Sequence, residues 1–97
     1  MENELLKNVL TKIGVELPDL LLEIVTECCD NVQKSVIADE HKVEAVFGAF
    51  LSNAKTMKGT FDANLSIVKT FTLNYRGRSF RLTKQSPSYL LLTKLCE

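Results

Sequence analysis

The chain has 97 residues, 45% of them hydrophobic, with 12 Lys and Arg against 12 Asp and Glu. That is the size and make-up of one ordinary globular domain, 1–97, and its formal net charge of zero disfavours both a wholesale nucleic-acid coat and an acidic mimic. Two Pro and four Gly argue against a disordered linker, and no run of about 18 uncharged apolar residues exists to cross a membrane.

At the start of the chain, Glu2 and Glu4 stand where a secretory leader would carry lysines, and Lys7 and Lys12 break the apolar run. A cytoplasmic location is the expectation. The spacing of Leu5, Leu6, Val9, Leu10 and Ile13 predicts a first helix over about 3–13, stopped by Gly14. Pro18 then suits the first position of a second helix over about 18–36, with Asp19 in its positive first turn. The apolar stripe of that helix is Leu21, Ile24, Val25, Cys28, Val32 and Val36. Its other side, which includes Glu23, Glu27 and Asp30, is acidic and solvated.

Three cysteines, two of them adjacent at Cys28–Cys29 and the third at Cys96, do not make a disulfide framework. Neighbours on a helix point about 100° apart, so the pair is read as two buried thiols acting as small hydrophobes.

A third helix is predicted over about 39–57, with Asp39 as its N-cap and Val43, Val46, Phe47, Phe50, Leu51, Ala54 and Met57 as its stripe. Beside that stripe runs a ridge of small residues, Ala45, Gly48, Ala49 and Ser52. Such a ridge admits a second backbone, either from the same chain or across a homodimer seam. Gly59 is read as the helix stop.

The period then changes to two. Leu65, Ile67, Phe71, Leu73 and Tyr75 share one parity, and Arg76-Gly77 separates them from a second alternating run. A two-residue turn pairs Tyr75 with Arg78, Leu73 with Phe80 and Phe71 with Leu82, so every apolar residue faces another. The expected hairpin is 67–75/78–84. Beyond it, Ser86-Pro87 suits either a helix cap or a turn, and the apolar run Tyr89 to Leu95 suits a buried helix or a third strand over 89–95. The strand is favoured, because a lone hairpin is marginal.

The charge is strongly divided. Residues 1–54 hold four Lys against ten Asp and Glu, net −6; residues 55–97 hold eight Lys and Arg against two acids, net +6. The domain therefore reads as an acidic helical half, 1–58, and a basic β-hairpin half, 59–97.

No catalytic set is visible. His41 is the one histidine and lies among Asp39, Glu40 and Lys42, with no nucleophile to serve. The glycines are too scattered to cradle phosphate. Three Cys and one His cannot supply a clustered zinc tetrad, and carboxylates at 23, 27 and 30 on a rigid helix cannot wrap a cation as a calcium loop does. No metal or cofactor is expected, and no enzymatic activity.

The candidate surface is the basic hairpin: Arg76 and Arg78 at the tip with Tyr75 behind them, Arg81 on the face away from the core, and Lys69 and Lys84 near the base. Guanidinium groups suit phosphates and carboxylates alike. In outline, helices followed by an arginine-tipped hairpin are similar to a winged-helix domain, but the third helix begins Asp39-Glu40-His41-Lys42 where that family has a basic recognition helix. In length the chain is similar to the bacterial histone-like DNA benders, whose long arms carry a proline near the tip; Pro87 is not so placed. No family is assigned.

The expectation is an α+β domain in which three N-terminal helices pack on a small antiparallel sheet, with a core that includes Leu6, Leu10, Leu21, Val25, Val32, Val46, Phe47, Phe50, Phe71, Leu73, Phe80 and Leu82. The expected function is a non-enzymatic interaction module of inhibitor or adaptor type, homodimeric, taking a protein partner through its charged faces. The alternative is sequence-tolerant nucleic-acid binding through Arg76, Arg78 and Arg81.

Overall fold

The computed structural model describes residues 4–97. Glu2, and Asn3 at the expected start of the first helix, lie outside the described residues. The fold is α+β, with four helices and one two-stranded antiparallel sheet among the described residues. None of the described helices is long and apolar enough to cross a membrane. The chain divides into two compact units, one ending at Leu51 and the other comprising Ser52–Glu97.

In the first unit, α1 covers Glu4–Ile13 and buries Leu5 and Val9. Gly14 ends it at φ +82, where its N–H reaches the Leu10 carbonyl at 3.0 Å. The next helix, α2, covers Asp19–Gln33. Pro18 caps it rather than opening it, in extended conformation, and its carbonyl accepts from Leu22 N–H at 2.9 Å. Leu20, Leu21, Ile24, Val25, Cys28, Cys29 and Val32 are all buried, so both adjacent thiols behave as the small hydrophobes expected. The stripe stops at Val32. Ser35 donates its hydroxyl to the Val32 carbonyl at 2.7 Å and its N–H to the same oxygen at 3.1 Å, which closes the helix and leaves Val36 fully exposed.

Helix α3 covers Asp39–Leu65. Asp39 is its first helical residue, not its cap; His41 N–H donates to the Ala38 carbonyl at 2.9 Å. Within the first unit, Lys12 joins α1 to α3 by pairing with Glu44 at 3.2 Å and lying 5.0 Å over the Phe47 ring. Val46 and Phe50 are completely buried.

In the second unit, the helix does not stop at Gly59. Its φ is not left-handed, and the following turns hold the ladder despite glycine's cost of about 1 kcal/mol. Lys58 pairs with Asp62 at 2.6 Å, and Thr60 and Asn64 donate to the carbonyls of Thr56 and Thr60. The extension buries Phe61 and Leu65. Phe61 meets Phe71 edge-on with ring centroids 5.9 Å apart.

The hairpin consists of β1, Phe71–Tyr75, and β2, Arg78–Leu82. Its register is the expected one: Phe71 opposite Leu82, Leu73 opposite Phe80, Tyr75 opposite Arg78. The strands are shorter than 67–75/78–84, because Leu65 belongs to α3 and the N–H groups of Ile67 and Val68 bond back to the Asn64 carbonyl at 3.0 Å. Ile67, expected on the buried parity, is 83% exposed.

The third strand over 89–95 is absent. Its place is taken by α4, Pro87–Leu95, with Pro87 in the first turn and Ser86 in the cap position. Ser86 accepts the Thr83 N–H at 2.9 Å, which fixes the turn from β2 into the helix. Three successive leucines are strong helix formers, and one helical face suffices to bury Leu92. Of the expected core, Leu21, Val25, Val32, Val46, Phe50 and Leu82 are buried, whereas Leu6, Leu10, Phe47, Phe71, Leu73 and Phe80 are half-buried. Two of those aromatic rings lie under a cation, Phe47 under the Lys12 ammonium and Phe80 under the Arg78 guanidinium.

Candidate functional site: the basic hairpin

The hairpin turn is built on Arg76 at φ +51 and Gly77 at φ +81, the two left-handed residues a type I′ turn requires. Glycine takes that conformation freely; arginine does so at a cost. In return Arg76 stands at the outermost point of the hairpin, exposed beside exposed Arg78.

Strand alternation then separates the basic residues. Arg81 lies opposite Thr72 on the exposed face, where Ser79 donates to the Asn74 side-chain oxygen at 2.7 Å. Arg78 has the other parity: it pairs with Tyr75 and lies 4.9 Å over the Phe80 ring. It closes the outer end of the apolar face and leaves its charge at the tip. The strands themselves span about 14 Å at about 3.4 Å per residue.

Lys69 and Lys84 are at the other end, both exposed. They line a cleft of about 460 Å³ formed by residues 65–70 and 83–85, where the chain enters and leaves the hairpin. The six sequence-predicted residues thus occupy three places: Tyr75, Arg76 and Arg78 at the tip, Arg81 on the open face, and Lys69 and Lys84 at the base.

The expected seam on α3 is uneven. Ala45 and Ala49 are half-buried, and Gly48 and Ser52 are exposed. A Cβ added at Gly48 would meet nothing within 4 Å, so no neighbouring group requires a glycine there.

Sequence reasoning missed a second polar cluster. The Tyr89 hydroxyl donates to one Asp62 carboxylate oxygen at 2.5 Å and Lys58 to the other at 2.6 Å, with the ammonium 5.6 Å from the Tyr89 ring centre. The Lys58 hydrogen bond, then that of Tyr89, holds the Asp62 carboxyl below its ordinary range; the bond to Asp62, with burial, pushes the Tyr89 phenol up. The i, i+4 spacing of Lys58 and Asp62 was a usable signal, had the helix been extended past Gly59. Tyr89 gave none, being 27 residues from its partner.

Cys29 is no nucleophile at neutral pH: burial, with Cys28 and Asp30 beside it, raises its thiol to about 11. Among the described residues, no group of three or more His, Cys, Asp or Glu is placed to hold a metal ion. The chain matches no protein-family model, no curated protein and no solved structure.

Proposed function

We propose that this protein is a non-enzymatic interaction module, of inhibitor or adaptor type, that docks its basic hairpin on an acidic protein surface. The observation that carries the reading is the division of side chains across the two strands. The open face presents Arg81 among Thr72, Asn74 and Ser79, while Phe71, Leu73, Tyr75 and Phe80 all lie on the opposite parity. Bases of a single strand bind by stacking on exposed aromatic rings, and this face has none. A cation set among short hydroxyl and amide side chains, with Arg76 and Arg78 at the adjoining tip, suits carboxylates on a folded partner. Self-association belongs to the same reading, since one copy's acidic residues attract another's basic ones. Three cysteines, none of them in a disulfide, fit a reducing, cytoplasmic setting.

The test compares the wild type with an Arg76→Glu, Arg78→Glu, Arg81→Glu variant as bait in cell lysate, with circular dichroism verifying the fold. A partner with an acidic surface, retained by the wild type and lost by the variant, is expected. A gel-shift titration with duplex DNA runs alongside at two salt concentrations. Binding that weakens with a log–log slope of about −0.9 per phosphate contacted, with no protein partner lost in the variant, would replace this reading by nucleic-acid binding.

A further inference from the structure

The cleft at the base of the hairpin has a composition that docking at the tip does not use. Its apolar wall includes Leu65, Ile67 and Val68, and its charged residues are Lys69 and Lys84. Ile67 is 83% exposed and Val68 46% exposed. Large aliphatic side chains left in water beside a concavity lose solvent contact when the concavity fills. No acidic residue lines it. The nearby carboxylate of Asp62, which Lys84 influences, is already satisfied by Lys58 at 2.6 Å and Tyr89 at 2.5 Å, so it does not cancel both cations. Two of the local hydroxyls have partners: Ser66 donates to the Ala63 carbonyl at 2.7 Å, and Thr83 accepts the Gln85 N–H at 3.1 Å. Two cations beside exposed aliphatic side chains are the distinguishing feature of the cleft.

We propose that this cleft binds a small aliphatic carboxylate, its hydrocarbon against Leu65, Ile67 and Val68 and its anionic head between Lys69 and Lys84. A volume of about 460 Å³ lies within the range of small-molecule sites. Two ammonium groups supply point charges for an anionic head, and the aliphatic wall favours a head that carries a hydrocarbon chain. Apart from Leu65 at the end of α3, the lining residues lie in irregular backbone between helix and strand, so the Ile67 and Val68 side chains can close over a ligand without breaking the strand ladder. The site is separate from the arginine tip and stands whether or not the hairpin docks on a protein.

The test is a titration of the full-length ¹⁵N-labelled chain, followed by amide shifts, with octanoate, acetate, inorganic phosphate and octylammonium as probes. Octanoate is expected to move the amides of 65–70 and 83–85 and to bind at least about tenfold more tightly than the other three. Replacing both lysines, Lys69→Gln with Lys84→Gln, is expected to weaken octanoate about tenfold. Ile67→Ser should weaken it as well, and Arg76→Ser should leave it unchanged. All four positions are exposed, and unaltered amide shifts elsewhere verify the fold of each variant. Octylammonium binding as tightly as octanoate, phosphate doing so, or no shift at the cleft with any probe would each overturn the proposal.

Discussion

Asp62 takes its two donors from opposite directions along the chain: Lys58 one turn earlier on α3, and Tyr89 on α4. The second bond makes the carboxylate a tie between elements rather than a helix-surface pair. Because the folded Asp62 carboxyl titrates below its ordinary value of 3.8, its contribution is complete above that value and disappears as pH falls through the folded one. Tyr89 and Lys58 are raised, so their contributions hold below their ordinary values of 10.0 and 10.5 and disappear as pH rises through the folded ones. Tyr89→Phe is expected to lower stability by about 0.5–1 kcal/mol at neutral pH, and by less below the range in which Asp62 is ionised. Urea unfolding at the two acidities measures this. A difference that persists undiminished in acid would assign the effect to packing and not to the carboxylate.

Among the elements, α3 is the one whose length the sequence most misrepresents. Gly59 has ordinary helical backbone, and a Cβ built on it would meet nothing within 4 Å. Gly59→Ala is therefore expected to raise stability by about 1 kcal/mol, read as a higher thermal midpoint; a drop would mean that the glycine is needed for an approach by another molecule. The hairpin register was legible because apolar alternation and a two-residue turn agree, and a slip of one residue would put every apolar side chain on the wrong face. Helices α1 and α2 were legible from their stripes and from Gly14. What could not be read locally was decided at a distance. Phe61 is held in the helix by its meeting with Phe71, ten residues on. The stretch 89–95 carries patterns for both helix and strand; Pro87 in the first turn suits the helix, and Ser86 fixes the turn before it by accepting the Thr83 N–H. Of the candidate site, the cations and their division among tip, face and base could be read from the hairpin register, but not the cleft that Lys69 and Lys84 line. The cleft depends on two chain segments lying side by side, which no single window of sequence displays.

For the whole molecule the informative quantity is the separation of charge, −6 over residues 1–54 and +6 over 55–97. If copies associate through these opposite charges, the association must weaken as salt rises toward 1 M, where the Debye length is about 3 Å. A seam on α3 would instead survive salt and fail in Gly48→Leu, whose side chain would hold two backbones apart. Sedimentation at tens of micromolar is expected to show a dimer at low salt, and its salt response distinguishes the two seams. A species near 10.9 kDa at both low and high salt would exclude both.

The buried cysteine pair gives the chain an internal clock for its own opening. Cys96 is partly accessible, whereas Cys28 and Cys29 are shut inside α2, and the Cys29 thiol holds its proton to about pH 11. A thiol-reactive dye at neutral pH thus meets one accessible sulfur at once, and the other two only when α2 exposes its inner face. The pace at which the second and third labels appear measures how often the first unit breathes, without any engineered probe.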